Sequence, residues 1–464
     1  MNSKPTPATD SVLDRLADIV CDLQFGRLPA EAIHAAKRSL IDALGCAYGA
    51  YQSEPATIAR RMASTIVPSG ASVIGTAHRT SPEMAAFANG VMFRYLDFND
   101  SYVSAGGGGH PSDYDAAVLA AAEQGGLTGQ DVIAGIVSAY ELHGQLTDAT
   151  KFGTDRWDYV TLGVIAAAGG AARAMNLPRE RIKHAISIAI VGNIALLESR
   201  RGNLSMWKGC ASANACRNGL FAALLAREGL TGPPRPFEGR NGFEAMVSGP
   251  LSSLDPPATD NLAILRCHFK RFPAGFFSQT AIDAALELRP RLLAMLDDIE
   301  EVVVSTFPFG LQAMASPEKW RPTTRETADH SLPYVVASAL THGELTMATF
   351  DREHLADPRT RALMDRLKVV VDPECERDFP DRTLNKLAVK VSDGTVYRAA
   401  VAQHRGHRAN PMSDADIEAK FRSQAEDHIG PSRADQLLGA VWRLEEAHDL
   451  SSLMALTSVM GELR

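Results

Sequence analysis

The six cysteines of the chain (Cys21, Cys46, Cys210, Cys216, Cys267 and Cys375) include no C-x-x-C pair and are too sparse for a disulfide framework. This spacing excludes the usual thiolate-held zinc sites and iron–sulfur clusters, and it points to a reducing, cytoplasmic setting. Positive charge is also in deficit. Against 55 Asp and Glu stand 47 Lys and Arg, scattered along the chain, and the net charge of −8 argues against nucleic acid as a partner. An anionic substrate would therefore need its positive charge supplied locally. No apolar run reaches the roughly 20 residues of a transmembrane helix, so no membrane association is expected. Residues Met1 to Asp10 lack the basic-then-apolar order of a secretory signal. Neither a G-x-x-x-x-G-K-[ST] phosphate loop nor a G-x-S-x-G nucleophile elbow occurs, and the run Gly106 to Gly109 follows a helical segment where a dinucleotide fingerprint would follow a strand.

What is present is a soluble, helix-rich pattern. The chain has 464 residues, 45% of them apolar and 22% charged, which is room for two or three domains around a large core. From Ser11 to Leu230 the periodicity is helical almost throughout, with Ser11 expected as an N-cap and Pro29 opening a long apolar helix. Further helices are expected at Glu83–Leu96, Ser112–Glu123, Gln130–Ala149, Val160–Met175, Arg179–Leu197 and Lys208–Glu228. Segments such as VTLGVIAAAGGAARAM are small or apolar all round, as central helices are. Near Cys267 the texture changes. Ile299–Thr306, Lys368–Val371 and Lys386–Val391 are rich in β-branched residues, and Asp393-Gly394 signals a hairpin. Helical patterning returns after Gly406, at Ser413–Arg422 and Asp435–Glu446, and this last part is expected to pack back on the first. The fold class is therefore mainly α, with an α+β portion in the middle.

The stretch YLDFNDSYVSAGGGGHPSDYD, Tyr95 to Asp115, concentrates the chemistry-bearing residues. Acids Asp97 and Asp100 precede the glycine run, and His110-Pro111-Ser112-Asp113 opens the next helix, placing His110 on a side-chain-free turn beside a helix N-terminus. Asp97, Asp100, His110, Asp113 and Asp115 could hold a divalent ion, but the nearby cation-rich segments favour direct acid–base chemistry and no metal. Lys208 begins an alanine-rich helix, either as a snorkelling surface residue or as a buried cation that requires an anion. His330 and Tyr334 are spaced to share a helical face, as structural or as catalytic groups. The segment Lys270 to Ala281, KRFPAGFFSQTA, reads equally as an anion clamp or an interdomain hinge.

Taken together, YLDFNDSY, GGGGHPSD, WDYVTLG, LSMWKGCASANACRNGLFAALLAREG, FKRFPAGFFSQTA, DHSLPYVVASAL and SDGTVYRAAVAQHRGH resemble the MmgE/PrpD family in family order, over nearly the whole chain after Ser11. The resemblance implies a homodimeric enzyme that needs no cofactor and acts on small di- or tricarboxylates. It also implies an all-helical domain from both chain ends (1–266 and 407–464), an α+β lid (267–406), and an active site between them. It assigns catalytic roles to Asp97, Ser101, His110, Lys208 and Tyr334, with Tyr159, Arg201, Lys270 and His330 binding substrate. The reaction expected is loss of water from a hydroxy-acid of the methylcitrate type. Alternatives are epimerisation of an amino- or imino-dicarboxylate, decarboxylation of an aconitate-like acid, and an inactive binding homologue. Three positions depart from the family pattern: Tyr159 replaces a histidine, and Gly275 and Phe277 stand where the dehydratase branch tends to have Glu and His.

Overall fold

The structure, a computed structural model, describes residues 9–150, 157–252 and 254–459; the first eight residues of the N-terminal tail lie outside it. Among the described residues, nine α-helices form the first half: α1 (Ser11–Asp22), α2 (Ala30–Ala50), α3 (Glu54–Ser64), α4 (Pro82–Arg94), α5 (Asp115–Gly125), α6 (Gly129–Ala149), α7 (Val160–Ala174), α8 (Arg179–Val191) and α9 (Trp207–Glu228). The near-uniformly small α7 lies at the centre, packed on α5, α6, α8 and α9. Close approach requires it: a β-carbon at Gly219 of α9 would stand 2.7 Å from the Val164 carbonyl of α7. Two short hairpins, β1 (Ala71–Ser72) with β2 (Arg79–Thr80) and β3 (Tyr102–Ser104) with β4 (Gly107–Gly109), interrupt the helices.

The middle of the chain builds a four-stranded sheet from β5 (Ile299–Thr306), β6 (Leu367–Val371), β7 (Asn385–Val391) and β8 (Val396–Val401), in the order β6-β5-β7-β8. The β5–β6 pair is parallel and the others antiparallel. The expected β7–β8 turn forms at Asp393-Gly394, where Gly394 takes φ 87°. The helix Gln279–Leu292 packs on β7 and β8 and against the helix Leu332–His342. Buried apolar side chains fall into two main clusters. One joins residues from Leu13 to Ile264 with residues from Met412 to Val459, and the other runs from Phe272 to Ala399. The returning helix Asp414–Ile429 starts at a Ser413/Asp416 capping box and packs on α2, where Lys420 reaches Asp42 at 2.6 Å and the Phe98 carbonyl at 2.7 Å.

Several boundaries differ from the sequence reading, each for a local reason. Asp10, not Ser11, caps α1, because its carboxylate accepts the Leu13 N–H while its other oxygen takes the N–H groups of Phe237 and Glu238. α4 stops at Arg94 rather than Leu96, and Asp97 turns into the left-handed region at φ 51°, a conformation that Asp tolerates better than most residues. The segment after His110 begins as a 3-10 turn, Pro111–Tyr114, before α5. α8 ends at Val191, followed by a separate turn at Leu197–Arg200.

Candidate active site

The fold converges on the carboxylate of Asp97, which is 1% exposed. Arg94, one helical turn earlier, donates to it at 2.6 Å. Lys270, at the entry to the middle segment, donates both to the carboxylate at 2.6 Å and to the Asp97 carbonyl at 2.9 Å. His330 Nε2 lies 3.2 Å away, His110 Nε2 3.7 Å and Lys208 Nζ 3.8 Å. Burial by itself would raise this carboxyl. Arg94, Lys270, His330 and Lys208 outweigh it and hold the group well below the usual carboxylate range. Asp97 is thus a permanent anion that organises cations, not a proton donor at neutral pH.

The glycine run forms strand β4, where a free turn was expected. Its lack of side chains lets the hairpin lie flat on its neighbours: a β-carbon at Gly106 would stand 2.0 Å from the Thr147 carbonyl, and one at Gly109 2.5 Å from the His143 ring. His110 follows directly. Its Nδ1 lies 2.6 Å from the Asp100 carbonyl and 3.2 Å from Ser101 Oγ. A carbonyl only accepts, so Nδ1 carries the hydrogen and Nε2 keeps its lone pair. Burial, then Arg94 and Lys270, push the imidazole well below its ordinary value, against the pull of Asp97. The result is a neutral base of fixed tautomer. The N–H groups ahead of His110 are not open to an external anion, because Asp100 accepts from the Ser112 N–H at 3.2 Å and from its hydroxyl at 2.6 Å.

Lys208, in the first turn of α9, is buried, and the anion it requires comes from within the chain. Its Nζ lies 2.6 Å from Asp329 Oδ1 and 2.9 Å from His330 Nδ1. Burial lowers the Lys208 ammonium, offset in part by Asp329. Burial and then Lys208 bring the His330 imidazole down to about 4. Lys270 is wholly buried against Asp97 and does not reach the cavity, while the adjacent Arg271 pairs with Asp283 at the surface; the KRFPAGFFSQTA segment is therefore no paired-cation clamp. Tyr334 also stands apart. Ser331 caps the helix Leu332–His342, so His330 precedes that helix and the expected shared face does not exist. The Tyr334 ring lies in the core of the middle segment, and its hydroxyl donates to the Thr349 carbonyl.

A cavity of about 550 Å³ opens beside the Asp97 cluster. Of the residues singled out from sequence, Asp97, Ser101, His110, Tyr159, Arg201 and His330 line it. The middle segment contributes Gly275 to Phe277, Phe309, Gln312 to Met314 and Ser316 to Lys319 to the same walls. The Tyr159 hydroxyl sits 3.2 Å from Asp113 Oδ2 and 3.3 Å from Arg94 Nε, with the Arg200 guanidinium 5.1 Å over its ring. Burial and Asp113 raise this phenol further, so it is a neutral hydrogen-bonding wall and not a base.

The sequence assigned no role at the site to Arg94, Asp329 or Lys319, nor to Arg200 beyond its place in the basic stretch before Lys208. Asp329 is the buried counter-ion of Lys208. Arg200 donates to Asp158 at 2.9 Å and to the Lys208 carbonyl at 2.7 Å. Lys319 is 3% exposed, lines the cavity, and its Nζ has no hydrogen-bond partner among the described residues. Asp329 carried a readable signal, since a buried Lys208 demands an acid and Asp329 adjoins His330. Among the described residues, Asp97, Asp329 and His330 alone form a group compact enough for a metal ion. Lys208 and Lys270 already neutralise its two carboxylates at 2.6 Å each, so the donor set is filled by ammonium groups.

Comparisons with known proteins agree with the motif reading. The family model described as MmgE/PrpD N-terminal domain matches residues 14–253, and that described as MmgE/PrpD C-terminal domain matches residues 272–446. A 2-methylcitrate dehydratase of Cupriavidus necator is 30% identical over 94% of each chain. A 2-methylcitrate dehydratase of Salmonella typhimurium is 30% identical over 82% of this chain and 83% of its own. A cis-aconitate decarboxylase of Homo sapiens is 25% identical over 96% of this chain and 94% of its own.

Proposed function

The chain belongs to the MmgE/PrpD family, and from that premise we propose that it is a cofactor-independent lyase that removes water from a small hydroxy di- or tricarboxylate of the 2-methylcitrate type. The observation that carries this reading is His110: a neutral imidazole, its Nδ1–H held by the Asp100 carbonyl at 2.6 Å, on a glycine-floored cavity with cationic groups in its walls. In the elimination, Nε2 takes the proton from the carbon next to a substrate carboxylate. The electron pair left on that carbon forms the alkene as the neighbouring C–O bond breaks, and the Nε2 proton passes to the departing hydroxyl, giving water. Asp97 stabilises the transient imidazolium at 3.7 Å. Arg200 and Arg201 supply positive charge for the substrate carboxylates. Tyr334 has no part in this scheme.

The human relative named cis-aconitate decarboxylase supports a second reading, loss of carbon dioxide from an unsaturated tricarboxylate, and Gly275 and Phe277 in the cavity wall bear on which substrate fits. A panel of methylcitrate, citrate, cis-aconitate and aspartate-derived diacids, incubated in deuterated water and followed by NMR, decides. An alkene with release of water supports the leading reading; carbon dioxide release or exchange with inversion overturns it in favour of decarboxylation or epimerisation. A homodimer is part of the proposal. It is supported by large apolar side chains left exposed at Val191, Ile194, Leu196, Trp207, Phe221 and Leu230, and sedimentation measures it directly.

A further inference from the structure

We infer that Lys319 is the residue of the middle segment that receives a substrate carboxylate, an assignment that rests on the carboxylic-acid reading above. Taking a charge out of water without a partner costs several kcal/mol, so a lysine at 3% exposure is ordinarily paired. The other buried lysines of the site follow that rule: Lys208 has Asp329, and Lys270 has Asp97, each at 2.6 Å. Lys319 departs from it. Its Nζ is enclosed and has no hydrogen-bond partner among the described residues, and Lys319 is one of the residues lining the cavity that holds His110. The charges around it do not satisfy it: Lys208 opposes it, Asp329 is engaged by Lys208 and His330, and the exposed neighbour Glu318 favours the ammonium without bonding to it. Burial, with Lys208 behind it, draws the ammonium down to about 8, so it remains mostly charged at neutral pH and poised for an anion.

The backbone around Lys319 is built to hold that position. The Ser331 hydroxyl donates to the Lys319 carbonyl and at the same time caps the helix Leu332–His342 through the Tyr334 N–H. The Trp320 indole donates to the Ala315 carbonyl at 3.1 Å. Both bonds tie the turn Pro317–Trp320 to its surroundings, so the ammonium is pre-placed rather than recruited. From the helical body, Arg200 lines the same cavity, and its buried Nη2 has no hydrogen-bond partner among the described residues, its other nitrogens being engaged by Asp158 and the Lys208 carbonyl. The two groups come from the two cores of the molecule, so a polycarboxylate that bridges them is held by both.

The test uses tricarballylate, a tricarboxylate with no hydroxyl to eliminate, as the probe. Titration calorimetry and melting shifts are measured on the full-length wild type, Lys319→Met and Lys319→Arg, and turnover is measured with the substrate that the panel identifies. The methionine variant should melt at or above the wild-type temperature without ligand, because it removes an uncompensated buried charge. It should bind tricarballylate about 10- to 100-fold more weakly, the span of one charge-assisted hydrogen bond. The arginine variant should restore most of the binding, and the loss of turnover in Lys319→Met should appear in KM more than in kcat. Methionine-variant binding within threefold of wild type overturns the assignment, as does a lowered melting temperature of its free form. A wild type that ignores tricarballylate, citrate and methylcitrate alike overturns the carboxylic-acid reading itself, and this inference with it.

Discussion

Asp97→Asn isolates the charge at the centre of the site. The two side chains have the same shape, and Asn tolerates the left-handed φ of 51° as well as Asp does, so neither packing nor backbone strain enters. What changes is that Arg94 and Lys270, each 2.6 Å from the carboxylate, lose their counter-ion. Removing one partner of a buried ion pair destabilises by about 3–5 kcal/mol, a large part of the 5–15 kcal/mol typical of a domain. The two cations share this loss unequally. Burial already lowers Lys270 to about 8, so near neutral pH it can shed its proton at a cost on the order of 1 kcal/mol, which caps its contribution. Arg94 cannot deprotonate and carries the rest. The sign of the pH dependence follows. Above the folded value of Lys270 that ammonium is neutral in the wild type too, so the gap between wild type and variant should narrow, by on the order of 1 kcal/mol, between pH 7 and pH 9. Urea midpoints at the two pH values measure it, and a double-mutant cycle with Lys270→Met should show coupling of about 1–3 kcal/mol. An Asp97→Asn protein within about 0.5 kcal/mol of wild type at pH 7 would refute the view of Asp97 as the buried counter-ion.

His110→Asn should slow the chemical step about 100- to 10,000-fold in single-turnover kinetics, while Tyr159→Phe should cost far less; the reverse order would move the base to Tyr159. Lys208→Met leaves Asp329 and Asp97 facing each other without their shared ammonium, so it should lower stability by about 3–5 kcal/mol as well as activity, seen as a lower melting temperature. Dialysis against a strong chelator should leave turnover unchanged, and loss restored by one divalent ion would make Asp97, Asp329 and His330 metal ligands. His404, buried and brought down to about 3 by burial and His407, stays neutral in the fold. The unfolded chain binds that proton below about 6.5, so His404 costs stability as the pH falls from there towards 3. Buried Asp100 and Asp113, raised to about 7 and about 6, act in the opposite sense. The informative quantity is therefore the difference between wild type and His404→Gln, whose melting temperature should fall less between pH 7 and pH 5; parallel curves would exclude the effect.

Helix positions, the switch to strands near Cys267 and the return after Gly406 were legible because periodicity and turn residues are local signals. Asp97, Ser101 and His110 were legible because one short stretch holds all three, joined by the glycine hairpin. Lys319 was not. The segment Ser316 to Trp320 reads as an ordinary polar turn, and Lys319 is buried only once that turn packs on the helices Arg325–Ala328 and Leu332–His342 of the same middle segment. Lys270 was misplaced for a related reason: sequence marks a cation near a site but not the anion it faces, and Asp97 lies 173 residues away in the chain. Tyr334 came from motif likeness and an assumed helical face. The hydroxyl of Ser331 caps the helix after His330, so His330 lies outside it and shares no helical face with Tyr334.

The first core is assembled from both ends of the chain, and this constrains the order in which the protein can be made. The Tyr48 hydroxyl donates to the Thr457 carbonyl, 409 residues downstream, and Lys420 and Phe421 close over α2 from the far end of the sequence. While the chain emerges from the ribosome, α2 and its neighbours must therefore wait with an apolar groove open until the segment 412–459 has left the exit tunnel. The region from Phe272 to Ala399, whose own buried cluster draws on no residue outside it, is complete sooner. Synthesis thus leaves the body as the last part to close, and the nascent groove along α2 is the surface that a chaperone would have to cover.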